Sequence, residues 1–173
     1  MPSLFKSVSS TKILVILGIL FVVFNLLIPQ FLPKDQALDL RFAYSEEEAI
    51  FLLNQLTANQ IDDYRFGLLA LDMPYLIVYS LLFGGLLFRF WGNNFIIYVP
   101  FLAAFADFME NLGIYQILNV TPVIESPWIL LASVFSTFKW IFVAIIFTGV
   151  FGGILRKVLS GKSAIVDSQE VKI

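Results

Sequence analysis

Four long apolar segments limit this chain to one fold class. They cover about residues 13–32, 67–90, 94–118 and 127–155, and a helix needs about 20 apolar residues to cross a bilayer. The mean hydropathy is +0.87, and 59% of the residues are hydrophobic, against roughly 45–50% in soluble domains. Because a backbone inside lipid must satisfy its own hydrogen bonds, the sequence predicts an all-α fold, a polytopic four-helix transmembrane bundle.

The longest polar segment lies between the first two spans. In this segment Ser45 and Glu48 have the spacing of a helix-capping box. The apolar residues that follow, such as Ala49 and Leu53, recur on one helical face. This pattern predicts a short extracytoplasmic amphipathic helix that runs to about Ala58.

The placement of basic residues sets the expected orientation, because cytoplasmic loops carry an excess of Lys and Arg. The side of the two termini carries more of them than the other side: Lys6, Lys12, Arg89, Arg156, Lys157 and Lys162, against Lys34, Arg41 and Arg65. We therefore expect a cell-membrane protein with both termini in the cytoplasm. A single domain is predicted over residues 1–158, with a disordered cytoplasmic tail over residues 159–173.

The chain contains no Cys and no His. Zinc sites of the Cys/His type, thiolate nucleophiles, axial His ligation of haem and a Ser-His-Asp triad are therefore excluded. Acid–base chemistry has to use Asp, Glu, Lys or Tyr, and no metal or cofactor is expected. A net charge of −2 without a basic stripe gives no reason to expect a nucleic acid as partner.

Two carboxylates lie deep in the third span. Asp107, Glu110 and Asn111 are three and four residues apart, so they share one face of a helix. Each ionised carboxylate near a bilayer centre costs about 2.5–3.5 kcal/mol. With a rise of about 1.5 Å per residue, Lys139 in the antiparallel fourth span is predicted at the same depth. An intramembrane ion pair with Lys139 would still leave one carboxylate in surplus.

Further polar residues are expected near this depth. Asp72, Tyr75 and Tyr79 recur at spacings of three and four in the second span, and Asn25 lies in the first. The sequence therefore predicts an outward-facing polar pocket. Its candidate acid/base residues are Glu110 and Asp107, and its candidate ligand-binding residues are Asp72, Tyr75, Tyr79, Asn111, Lys139 and Asn25.

Each of these residues also has a purely structural interpretation. Asp72 precedes Met73-Pro74, so it would either cap the second helix or, if that helix begins earlier, lie beside a proline kink. Asp107 and Glu110 would, in the structural alternative, only fix helix register. The Ser and Thr residues of the fourth span favour hydrogen bonds to their own helix backbone: Ser133, Ser136 and Thr137.

Gly149 and Gly153 form a G-x-x-x-G pair near the end of the fourth span. Such pairs allow helices to approach closely, so a homodimer through this surface is a candidate partner arrangement besides the lipid bilayer.

The pattern Leu71-Asp72-Met73-Pro74-Tyr75, together with Asp107-x-x-Glu110-Asn111, resembles small four-helix bacterial membrane proteins of uncharacterised function. The resemblance covers roughly Tyr44 to Tyr115 and implies the topology but no activity. In outline the architecture is also similar to the EXPERA group, which includes sterol isomerases and sigma-2-like receptors. Sterol isomerases of that group use an intramembrane His, which this chain lacks.

These observations favour an integral membrane protein that binds or acts on a small amphiphilic or lipid-like molecule. A proton-coupled transporter that uses Asp107 and Glu110 as a relay is an alternative. A structural subunit of a membrane complex, in which the charges only direct assembly, is a third function class.

Overall fold

The computed structural model describes the backbone of residues 2–120 and 122–170, and these residues are helical or irregular with no strand. Seven α-helices follow one another along the chain. They are α1 (Pro2–Val8), α2 (Thr11–Leu27), α3 (Glu46–Leu53), α4 (Ala58–Phe66), α5 (Met73–Trp91), α6 (Val99–Leu118) and α7 (Pro127–Glu170). Two short 3₁₀ turns extend the first and third spans: Ile28–Gln30 after α2 and Phe95–Tyr98 before α6.

Four helical stretches in this part of the chain are long and apolar enough to cross a membrane. They are Thr11–Gln30, Ala58–Trp91, Phe95–Leu118 and Pro127–Leu159. The prediction of an all-helical chain with four long apolar helices is therefore confirmed.

The second span begins earlier than the sequence predicted. Thr57 and Gln60 form a capping box that starts α4 at Ala58, and a π-helical turn at Gly67–Asp72 joins α4 to α5 without a break. The helix therefore begins nine residues before the apolar segment predicted at residues 67–90. Asp72 makes no capping hydrogen bond, so the alternative in which the helix begins earlier is the one observed.

The helix that Ser45 caps is shorter than predicted. The Ser45 hydroxyl accepts a hydrogen bond from the backbone N–H of Glu48, as the capping spacing indicated, and α3 then ends at Leu53. At the other end of the chain, α7 continues past residue 155 to Glu170. It thus extends into residues 159–173, for which the sequence predicted a disordered tail. Residues 171–173 of this segment lie outside the described residues.

The packing of the helices leaves a gap on one side of the bundle. α6 packs against α5 and α7, while α2 packs mainly against α5. Gly113 allows the close approach of α6 and α7, since a Cβ there would lie 2.9 Å from the Ala132 Cβ. α2 and α7 make no comparable contact, so α5 and α6 lie at the back of an open space between them.

Residues 31–45, the connection between α2 and α3, fold into the bundle instead of lying on its surface. Ala37, Leu38 and Asp39 are at most 8% exposed, and Leu38 belongs to a cluster with Ile114 and Ile129 of the long helices. We call residues 31–45 the re-entrant loop, and the end of the bundle that it covers the loop end.

Gly149 and Gly153 do not form a free helix face. A Cβ at Gly149 would lie 2.7 Å from Ile96 and 3.0 Å from Leu87, and one at Gly153 would lie 2.6 Å from Phe90. The surface that the sequence suggested for a homodimer is therefore occupied by α5 and its following turn in the same chain.

Candidate functional site

The ammonium group of Lys139 lies at the centre of a buried polar cluster. Its Nζ is 2.6 Å from Glu110 Oε2 and 3.4 Å from Asp107 Oδ1, and it donates a 2.8 Å hydrogen bond to the carbonyl oxygen of Asp39. Lys139 and Asp107 are 8% and 7% exposed, and Glu110 is fully buried. Three acceptors from α6 and the re-entrant loop thus surround one cation of α7.

Asp72, at the end of the π-helical turn, and Asp107 of α6 each have a polar neighbour. Asp107 Oδ2 accepts a 3.1 Å hydrogen bond from the Tyr79 hydroxyl. Asp72 Oδ2 accepts one from Asn111 Nδ2. Asn111, which the sequence suggested as a ligand contact, is fully buried and bound to the Asp72 carboxylate.

Asn25 connects α2 to the same region. Its Nδ2 donates to the Tyr75 hydroxyl oxygen and to the Phe21 carbonyl, at 2.8 Å each. The rings of Tyr75 and Tyr79 meet edge to face, with centroids 5.2 Å apart. The predicted grouping of these side chains with Asp72 and Asp107 is therefore present in the geometry.

The sequence reasoning missed Asp39 and Tyr64. The Tyr64 hydroxyl accepts from the backbone N–H of Leu38 at 3.0 Å and donates to Asp39 Oδ1 at 2.6 Å. Asp39 is only 8% exposed and Tyr64 is fully buried. Asp39 lies in a polar segment without periodicity, so neither helical spacing nor hydropathy indicates that it is inside. Tyr64 shares a buried face with Ile61 and Leu68, and this face can be recognised only when α4 is recognised as a helix.

Tyr44, which lies in the re-entrant loop, is also buried. Burial raises the pKa of the Tyr44 hydroxyl above its usual range, so this hydroxyl is protonated at neutral pH. Its oxygen has no hydrogen-bond partner among the described residues.

Ser133, Ser136 and Thr137 of α7 bind the re-entrant loop, whereas the sequence favoured bonds to their own helix. Ser133 exchanges hydrogen bonds with both backbone groups of Tyr44, at 2.7 and 3.0 Å. Ser136 and Trp140 donate to the carbonyl of Arg41 at 2.5 and 3.1 Å. Thr137 makes both kinds of bond, to Phe42 O in the loop and to Ser133 O in α7.

A cavity of about 360 Å³ fills the gap between α2 and α7, with α5 behind it. At the loop end Lys34, Asp39 and Leu40 line it. Six of the eight residues singled out in the sequence line the cavity: Asn25, Asp72, Tyr75, Tyr79, Asp107 and Lys139. Glu110 and Asn111 are not part of its wall, because they lie behind Lys139 and Asp72.

The other half of the cavity is apolar. Phe83 of α5 and Val143, Ile146 and Phe147 of α7 line it. From Asp72 to Phe83 the cavity follows eleven residues of helix, or about 16 Å at the helical rise. Its polar lining residues are therefore confined to the half towards the loop end, which also contains apolar residues such as Ile28 and Leu32, whereas the half below it is apolar. We call these two parts the polar half and the apolar half.

Comparison of the chain with protein-family models, with curated proteins and with solved structures gives no match. Within the described residues, no group of three or more acidic side chains is placed so that it could hold a metal ion. The arrangement offers carboxylates, phenols and one lysine, which can exchange protons and form hydrogen bonds with a bound molecule.

We expect Tyr64→Phe to destabilise the protein by about 1–3 kcal/mol, since it removes one oxygen and leaves a buried carboxylate and a backbone N–H without their partner. Tyr98→Phe is the matched control, because the Tyr98 ring packs against Phe5 and Phe95 and its hydroxyl has no hydrogen-bond partner among the described residues. Unfolding of both variants with increasing SDS in mixed micelles measures the difference. Equal midpoints for the two variants would show that the Tyr64 hydroxyl does not hold the re-entrant loop.

Proposed function

We propose that this chain is an integral membrane protein whose cavity between α2, α5 and α7 binds, or acts on, a small amphiphilic or lipid-like molecule. The observation that carries this proposal is the division of one cavity into a polar and an apolar half. Ligand sites are typically concave, mainly apolar and fitted with a few convergent polar groups. A volume of about 360 Å³ falls in the range of roughly 300–1,000 Å³ that such sites have.

The position of the cavity at the gap between α2 and α7 supports the same proposal. The cavity lies between two helices that are both apolar enough to cross a membrane. Residues of α2 next to its lining are exposed and apolar, for example Val22 and Leu26, as expected for a surface that lipid covers. An amphiphile in the bilayer would enter laterally through the gap between α2 and α7. Its head group would lie in the polar half, and its hydrocarbon chain would extend towards the lipid.

In a catalytic form of this function, Asp107 would be the acid/base group. It lines the cavity, accepts from Tyr79 and lies 3.4 Å from Lys139. Glu110 is separated from the cavity by Lys139, so its part would be to orient the lysine. The proton-relay alternative is less well supported, because the cavity wall from Phe83 to Phe147 offers no polar group along which protons could pass.

The proposed orientation places both termini in the cytoplasm and the loop end outside, in the cell membrane. The absence of native cysteine makes this testable with single cysteines at two exposed positions, Glu47→Cys in α3 and Asn93→Cys between α5 and α6. A membrane-impermeant maleimide is expected to label Glu47→Cys in intact cells and Asn93→Cys only after permeabilisation. The reverse pattern would contradict the orientation.

The binding function is tested by filling the cavity from one wall. Val143 lines it, so Val143→Trp is expected to displace the bound molecule without adding charge. Native mass spectrometry of protein released from membranes in mild detergent should show a non-covalent adduct on the wild-type chain. This adduct should be absent from Val143→Trp.

Ile145→Trp is the matched control, because Ile145 lies on the same helix but is 41% exposed and does not line the cavity. It should retain the adduct. Binding by a molecule in this cavity is contradicted if Val143→Trp keeps the adduct as well as Ile145→Trp does, or if the wild-type chain carries none.

A further inference from the structure

The charges around the cavity do not balance. Four carboxylates gather in this region, and their formal charge is −4 when all are ionised: Asp39, Asp72, Asp107 and Glu110. Lys139 supplies one positive charge among them. Each uncompensated buried charge is costly, so the site is built for further positive charge, whether it comes from protons or from a ligand.

Lys139 cannot serve as a free cation for an anionic ligand. Its ammonium lies within salt-bridge distance of Glu110 Oε2 and Asp107 Oδ1 and donates a hydrogen bond to the Asp39 carbonyl, so its positive charge is already matched by two carboxylates. Lys34, which also lines the cavity, is an exposed residue at the loop end. The middle of the cavity therefore offers hydrogen-bond acceptors to a ligand.

Asp72 is the carboxylate best placed to receive a ligand. It lines the cavity, and no Lys or Arg of the described chain forms a salt bridge with it. Asn111 holds one of its oxygens, Oδ2, which leaves Oδ1 for a bound molecule. The ring of Tyr75 lies one helical turn further along and lines the same wall, and aromatic rings attract cations.

On these grounds we infer that the head group bound in this cavity is an ammonium, held by Asp72 and Asp107 with the aromatic rings of Tyr75 and Tyr79 beside it. This inference rests on the proposed amphiphile-binding function and specifies its ligand class. The apolar half of the cavity would accommodate the first part of a hydrocarbon chain. The ammonium could belong to a free long-chain amine or to a membrane aminophospholipid.

Three ten-carbon probes that differ only in their head group test this inference on the full chain in a non-ionic detergent. Decylammonium, decanol and decanoate are compared by the shift of the thermal unfolding midpoint at equal free concentration. Decylammonium alone is expected to raise the midpoint, because ligands that bind only the folded state stabilise it. An equal shift by decanol or decanoate would overturn the ammonium inference and leave the amphiphile-binding function intact.

No shift with any of the three probes would overturn both the ammonium inference and the proposed function, so the two failures are distinguishable. The comparison uses the wild-type chain and does not depend on the folding of a variant. If the four carboxylates at the cavity were neutralised only by protons, decylammonium would shift the unfolding midpoint no more than decanol does.

Asp72→Asn tests the residue assignment, since it keeps the shape of the side chain and its contact with Asn111 while removing the charge. We expect it to weaken decylammonium binding by about tenfold or more. Asp63→Asn, the same change at an exposed position of α4, should leave the affinity unchanged. Equal affinities of the two variants would overturn the assignment to Asp72.

Two phospholipids with the same phosphate distinguish the source of the ammonium. Native mass spectrometry compares adducts of phosphatidylethanolamine, which carries an ammonium, with adducts of phosphatidylglycerol, which does not. An excess of the ethanolamine lipid supports the inference and identifies a membrane lipid as the source. If decylammonium raises the unfolding midpoint but neither lipid forms an adduct, the ammonium inference is supported and the source is a free amine. Preference for phosphatidylglycerol over the ethanolamine lipid would overturn the inference.

Discussion

The fold is organised around the contacts of one ammonium group. Lys139 of α7 lies between Asp107 and Glu110 of α6 and also holds the Asp39 carbonyl of the re-entrant loop. These contacts fix the register of α6 against α7 and keep the loop over the end of the bundle. Removing one partner of such a buried pair typically costs about 3–5 kcal/mol, because the other charge is left uncompensated. The Ser, Thr and Trp side chains of α7 reinforce the same attachment through the loop backbone.

The sequence was most informative where residues follow the helical repeat. The four apolar helices could be read from length and hydropathy, and the depth of Lys139 followed from the rise of an antiparallel helix pair. The re-entrant loop could not be predicted in this way. Its buried Asp39 lies in a polar segment without periodicity. The loop is held in place largely through its backbone carbonyl groups, which every sequence contains. The same reason explains why the bond from Ser136 to the loop could not be predicted. Tyr64 belongs to α4, which the sequence indicates only through the capping box of Thr57 and Gln60.

The functional argument also depends on which carboxylates face the cavity. Sequence spacing treated Asp107 and Glu110 as equivalent, because both lie on one face of α6. The geometry separates them, since Asp107 lines the cavity and Glu110 is covered by Lys139. Asp39 and Asp72 complete an acidic wall opposite α2, and the apolar residues below them continue it along the gap between α2 and α7. The proposed ligand, an amphiphile with an ammonium head, matches this change from an acidic to an apolar lining along the cavity.

The most direct test of the account is the coupling between Lys139 and Glu110 in a double-mutant cycle. Lys139→Met, Glu110→Gln and the double variant are unfolded with SDS in mixed micelles, and their free energies of unfolding are compared with that of the wild type. The account predicts that the double variant loses less stability than the sum of the two single variants, by about 1–3 kcal/mol. Additivity of the single effects within about 0.5 kcal/mol would contradict the claim that this contact organises the bundle.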